Sequence, residues 1–120
     1  MLAAMRLWLG IAAVNGALAV VAGASATHLL RAHLAPDMMT VWETAARYHM
    51  YGALAMGLAA LAGSRLSPSF FLAGIMLFSA SLYALALGAP WWLGPLTPIG
   101  GGFLIAGFVC LAISSFRKSS

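Results

Sequence analysis

Acid is what this chain has least of. Its 120 residues contain two carboxylate side chains, Asp37 and Glu43. Paired acids for hydrolysis are therefore missing, and no Glu-x-x-His pair of the di-metal bundle type occurs. Cysteine appears once, as Cys110 deep in an apolar stretch, which rules out an intramolecular disulfide and a cysteine-based metal site. Charge of either sign is scarce, 7% of residues; a soluble domain carries about a quarter. The six Lys and Arg residues are scattered or terminal. They form no basic stripe, so nucleic acid is not an expected partner. There is no Ser-His-Asp order, no Cys-His pair and no phosphate loop. The expected reading is not an enzyme, and it carries no metal or cofactor.

What remains is apolar: 63% of the chain, with a mean hydropathy of +0.99. Such a composition belongs in a lipid bilayer. Four spans are legible, at about 7–27, 41–62, 69–87 and 99–116. Each is close to the roughly 20 residues needed to cross the hydrocarbon layer. Backbone groups in lipid must be satisfied internally, so each span is expected as a helix. The fold class is thus all-α: one polytopic domain over 1–120, with four transmembrane helices in a compact bundle. A cleaved leader is the competing reading of Arg6, the following apolar run and Ala24-Ser25-Ala26. The run is longer than the roughly 7–15 residues of a leader core, so it is read as the first span.

The boundaries carry signals of their own. Thr40 and Glu43 fit a capping box at the start of the second helix. Ser67-Pro68 and Thr97-Pro98 place a hydroxyl and a proline at the next two starts. Gly63 and Gly88 stand where helices would stop. Trp91 and Trp92, in an uncharged loop, suit the headgroup boundary. With both termini on one side, that side holds Arg6, Arg65, Arg117 and Lys118, and the other holds Arg31 and Arg47. The excess of positive charge then places both termini in the cytoplasm of a bacterial inner (plasma) membrane.

Small residues recur every four positions: Ala12 and Gly16, Ala19 and Gly23, Ala80, Ala84 and Gly88, Gly102 and Ala106. That spacing lets helix backbones approach closely, within the bundle or against another protein.

Polar residues inside the spans are the candidate site. Glu43, Arg47 and Tyr51 share a helix face, and Glu preceding Arg by four favours an ion pair. An isolated charge at the membrane centre costs about 2.5–3.5 kcal/mol on insertion scales, so pairing is expected. One reading is a lock holding the second helix in place. The other is an outward polar pocket of His28, Glu43, Arg47, Tyr48, His49 and Tyr51, with Ser79, Ser81 and Tyr83 beneath. His28 sits at the rim, and His49 lies about 9 Å deeper than Glu43 by helical rise. That mismatch disfavours a haem or metal held between the two histidines. A hydrogen-bonded histidine is expected at 49. Asn15, Ser79 and Ser81 read as glue between helices.

Four segments are similar to one known family. They are Gly23-Ala24-Ser25-Ala26-Thr27-His28, the run from Thr44 to Ala55, the run from Leu77 to Leu87, and Thr97-Pro98-Ile99-Gly100-Gly101-Gly102. In order and spacing they resemble the domain-of-unknown-function 423 family, the small YgdD/YwdK-like membrane proteins of bacteria with mitochondrial relatives. The family pattern usually has histidine at the position of Gly52, and glycine at those of Ala26 and Ala80. A histidine chemistry centred there would be missing from this chain. The resemblance implies a four-helix membrane protein and supplies no activity.

Two functions are compatible with these residues. One is a non-enzymatic helix-packing accessory or assembly subunit, embedded in the lipid bilayer within a larger membrane complex or a homo-oligomer. The alternative is a small-molecule or ion binding or transport module using the outward polar pocket.

Overall fold

The computed structural model describes residues 2–119. The chain is all-α. Helix α1 runs over Leu2–Ser25 and continues as a π turn, Ala26–Leu30. Helix α2 covers Pro36–Leu61. Helix α3 spans Ser67–Ala86 and contains a π segment at Ile75–Ser79. A short 3-10 turn, Trp91–Leu93, leads into α4, Leu96–Ser119.

All four expected helices are present, and each begins earlier than expected. At α2 the cause is clear. Ala35 is the cap, Pro36 occupies the first turn and Asp37 follows it. Proline is pre-set for helical φ, and an acid there complements the helix dipole. Thr40 is therefore already inside the helix, where its hydroxyl donates back to the Pro36 carbonyl at 3.2 Å. The expected capping box does not form. Nor does Thr97 cap α4: it lies in the first turn and its hydroxyl meets Ser81 Oγ at 2.7 Å.

The helix ends match expectation closely. Gly63 adopts φ 76° and Gly88 φ 102°. At the first, Ser64 N–H reaches Ala59 O and Gly63 N–H reaches Ala60 O; at the second, Ala89 N–H reaches Ala84 O and Gly88 N–H reaches Leu85 O. Both are Schellman closures, which need a left-handed residue that glycine supplies without a Cβ clash.

Packing follows chain order. α1 lies along α2, α2 along α3, and α4 along α3, with α4 also reaching α2 near Leu104. The outcome is a slab of 52 × 26 × 19 Å rather than a closed bundle. Its core joins Ala12, Ala55, Met56, Ala59, Phe71, Ile75 and Leu104, with Trp8, Phe78 and Leu111 packed around them. The tightest approach is between α3 and α4. A Cβ added at Gly100 would strike the backbone of Phe78. Elsewhere the small-residue stripes divide. Ala12 and Ala19 are buried, whereas Gly16 and Gly23 have open space beside them.

Among the described residues, three helices are long and apolar enough to cross a bilayer: Leu2–Leu30, Ser67–Ala86 and Trp91–Arg117. The second expected span is long enough but too polar to join them, because Glu43, Arg47, Tyr48, His49 and Tyr51 dilute it. Yet α2 is the most enclosed helix. Ala45, His49, Gly52, Ala53, Met56, Ala59 and Ala60 are all buried on it. Their three- and four-residue spacing makes one continuous face. Of those five polar side chains the neighbouring helices cover His49, while Glu43, Arg47, Tyr48 and Tyr51 stay exposed.

Candidate functional site

The polar centre is a chain of hydrogen bonds through three helices. His49 sits near the middle of α2 and is 6% exposed. Its Nε2 lies 3.0 Å from Asn15 Oδ1 on α1. Its Nδ1 lies 3.0 Å from Tyr83 Oη on α3. The Asn15 amide also donates to Ile11 O at 2.9 Å, which leaves Oδ1 as the acceptor. His49 Nε2 therefore carries the proton, and Nδ1 accepts from the Tyr83 hydroxyl. This neutral tautomer satisfies both ring nitrogens at once. Trp42 closes the assembly: its indole N–H donates to Ala22 O at 2.8 Å, and its ring lies 4.6 Å from that of Tyr83.

Sequence and geometry explain why these residues meet. His49 belongs to the buried alanine face of α2, so its ring is carried into the slab. Asn15 is the only amide side chain of α1 and lies on the same face as the buried Ala12 and Ala19. Tyr83 is near the C-terminal end of α3, and its long side chain reaches His49.

The nine nominated residues do not form one pocket. His49 and Tyr83 are brought together. Ser81 is buried and bonds to Phe78 O and Thr97. Ser79 is wholly buried, and its hydroxyl has no hydrogen-bond partner. Tyr48 and Tyr51 stack edge to face at 5.3 Å and are exposed, and Tyr48 also packs on Phe78. His28, Glu43 and Arg47 are exposed. No ion pair joins Glu43 to Arg47, so the expected lock on that face is absent. The reason is exposure. Both side chains are exposed on the face of α2 that its neighbours leave uncovered, and an exposed pair gains little for the entropy it costs. The lock exists one face away, made from a histidine, an amide and a phenol.

Asn15 was legible as interhelical glue, though not as the partner of His49. Thr97 gave no signal of its bond to Ser81, since a capping threonine explains it locally, and nothing in the sequence tied Trp42 to Ala22 O. With both nitrogens of His49 engaged, that ring has no lone pair for a metal. Among the described residues, no three His, Cys, Asp or Glu side chains converge.

Comparison with known proteins agrees with the four segments noted above. The family described as "Protein of unknown function (DUF423)" matches residues 22–101. The chain belongs to the DUF423 family. It is similar to the UPF0382 membrane protein of Haemophilus influenzae, at 39% identity over 94% of this chain and 96% of that protein. It is also similar to a UPF0382 membrane protein of Staphylococcus aureus, at 35% identity over 94% and 98%. The UPF0382 membrane protein YwdK of Bacillus subtilis is 32% identical over the same shares. No solved structure matches the chain. Membership, together with three long apolar helices, makes this DUF423 chain a membrane protein with several candidate spans. Family membership supplies no activity.

A side chain at position 52, where the resemblance implies a histidine in the family, would have to displace the Ile75 side chain here. A Cβ on Gly52 would come within 2.6 Å of the Ile75 side chain. In this chain the space between α2 and α3 is filled by Ile75, and the polar contact is made one turn away by His49.

Proposed function

We propose that this protein is a non-enzymatic helix-packing subunit that assembles with other membrane helices, in a larger complex or with its own copies. The observation that carries this reading is a groove of about 530 Å³ between α1 and α2, lined by Ala12, Ala13, Gly16, Ala53, Leu54 and Gly57 among others. Apolar surface alone means little in lipid. A concave seam in which Ala12, Ala13, Gly16, Ala53 and Gly57 stand beside four leucines means more, because small residues allow the close backbone approach that drives helix association where no hydrophobic effect operates. α1 has α2 as its main neighbour and leaves Leu7, Val14, Leu18 and Val21 exposed. The polar clasp through Asn15, next to this groove on α1, holds α1 in position to offer it.

In this reading all four helices lie in a bacterial plasma membrane, with α2 carried by its neighbours and both termini cytoplasmic. Arg6, Arg65 and Arg117 support that orientation; the side chain of Lys118, counted with them, lies outside the described part. The test is a pulldown at native expression level in mild detergent, with particle mass measured in parallel. Gly16→Leu and Ala13→Leu fill the groove and are expected to release partner or self-association while the monomer stays folded. Glu43→Gln and Arg47→Met, on the exposed face, are expected to leave assembly intact. A particle at monomer mass with no reproducible companion, unchanged by Gly16→Leu, would sink the proposal.

A further inference from the structure

α2 keeps one face free of its neighbours. Glu43, Arg47 and Tyr51 are exposed on it at four-residue spacing, with Tyr48 beside them. Among the described residues, no ion pair or hydrogen bond engages the Glu43 carboxylate or the Arg47 guanidinium. We infer that this face binds a phospholipid whose headgroup carries both a phosphate and a primary ammonium, with the phosphate on Arg47 and the ammonium on Glu43. This rests on the proposed placing of α2 in the bilayer, and it concerns lipid rather than helix docking. The groove between α1 and α2 starts further along α2, at Ala53 and Leu54.

Depth comes first. α2 has 26 residues, about 39 Å at ~1.5 Å per residue against ~30 Å of hydrocarbon. With Leu61 at one boundary, just before the turn that carries Arg65, the other falls about 20 residues back, near Trp42. Tryptophan suits that level. Glu43 then stands at the headgroup layer. Arg47 is one turn deeper, but helical side chains lean toward the N-terminus, which here is the direction of the boundary. A long cationic side chain reaches the headgroups from that depth. Charge of both signs on one face comes second. Side chains four residues apart start about 6 Å from each other. An anionic headgroup would suit Arg47 and be repelled by Glu43. A choline headgroup has no N–H to give a carboxylate. A primary ammonium donates to the carboxylate, and an ethylene link holds it beside a phosphate that the guanidinium can grip. The third observation is what lies deeper on the face. Tyr48 and Tyr51, 38% and 50% exposed, stand edge to face at 5.3 Å. Each has an apolar ring to meet an acyl chain and a phenol to meet the glycerol esters. A free soluble zwitterion needs no such floor.

The experiment uses the full chain, delipidated in a non-ionic detergent, with bound lipids counted by native mass spectrometry. Phosphatidylethanolamine, phosphatidylcholine and phosphatidylglycerol are titrated in turn. Phosphatidylethanolamine is expected to bind at least about fivefold more tightly than either of the others, the factor given by one favourable charge contact at a membrane surface. Glu43→Gln should erase the preference over phosphatidylcholine and raise phosphatidylglycerol binding by about fivefold, because the repelling carboxylate is gone. Arg47→Met should weaken all three by about fivefold. Arg31→Gln and Asp37→Asn serve as controls. Arg31 lies in the turn after α1, and Asp37 lies about 120° round α2 from Glu43, so neither should change the ratios. Helix content by circular dichroism confirms that each variant is folded. Equal binding of the ethanolamine and choline lipids by the parent overturns the inference. So does a Glu43→Gln variant that keeps the parent's preference, or an equal loss in the Arg31 variant, which would mean diffuse surface charge. Free phosphoethanolamine competing at concentrations equal to the lipid would overturn the lipid as the source. In membrane vesicles, Leu58→Cys in a Cys110→Ser chain is expected to resist a water-soluble maleimide. Labelling there would overturn the placing of α2 in the bilayer and this site with it. Shielding there without a lipid preference would overturn this site alone.

Discussion

Replacing His49 by leucine removes both interhelical hydrogen bonds at the centre of the slab while keeping a side chain of similar bulk. Hydrogen bonds between membrane helices average about 0.6 kcal/mol and reach about 1.7 kcal/mol. Two of them give roughly 1–3 kcal/mol. Asn15 keeps its bond to Ile11 O, but its Oδ1 is left buried beside leucine. An orphaned buried acceptor adds about 1 kcal/mol or more. Leucine returns part of this through its apolar contacts. The net expectation is a loss of about 2 kcal/mol, a shift of about thirtyfold in the folding equilibrium. Tyr83→Phe removes one bond only and is expected to cost about 0.6 kcal/mol. The double variant should cost no more than His49→Leu alone, because the Tyr83 hydroxyl then has nothing to lose. The assay is unfolding in mixed micelles titrated with an ionic detergent, followed by circular dichroism. Glu43→Gln and Arg47→Met, on the exposed face, should each stay within about 0.5 kcal/mol of the parent. Strict additivity of the His49 and Tyr83 changes would refute the clasp. A larger loss from Glu43 or Arg47 than from His49 would restore the ion-pair lock that the geometry replaces.

Other outcomes follow from particular contacts. Ser79 buries a hydroxyl with no partner, so Ser79→Ala is expected to be neutral or to stabilise by up to about 1 kcal/mol in the same titration; a clear loss would mean the hydroxyl is used. Gly100→Ala forces a methyl against the Phe78 backbone and is expected to cost about 2–3 kcal/mol, whereas Gly102→Ala meets open space and should cost nothing measurable. Equal effects at the two glycines would contradict the α3–α4 approach. Trp42→Phe loses the bond to Ala22 O and about 1 kcal/mol, and amide exchange over 22–30 should speed up as the end of α1 loosens. Unchanged exchange there would remove Trp42 as the tie between α1 and α2.

The functional reading rests on one surface and one interior. The interior clasp fixes α1 against α2 and α3. The α1–α2 groove is proposed to meet other helices.

Much of this protein is determined by local chemistry, and local chemistry is readable along the chain. Composition alone places four helices, because lipid offers a backbone no other partner than itself. Gly63 and Gly88 mark two helix ends correctly, since a left-handed closure has few alternatives to glycine. Starts are less certain. Pro36 and Asp37 overrule Thr40 and Glu43 because two adjacent sets of capping residues compete and one turn decides between them. The site is harder still. Glu43, Arg47 and Tyr51 share a face and invite pairing, but a helix face has no meaning until a neighbour covers it. Tertiary structure turned the alanine face of α2 inward instead, taking His49 with it and leaving the charged face outside. It set Asn15 and Tyr83, each 34 residues from His49, at the two ends of one imidazole. Three residues so far apart in sequence carry no shared period or spacing, and only the packing of three helices brings them within a hydrogen bond.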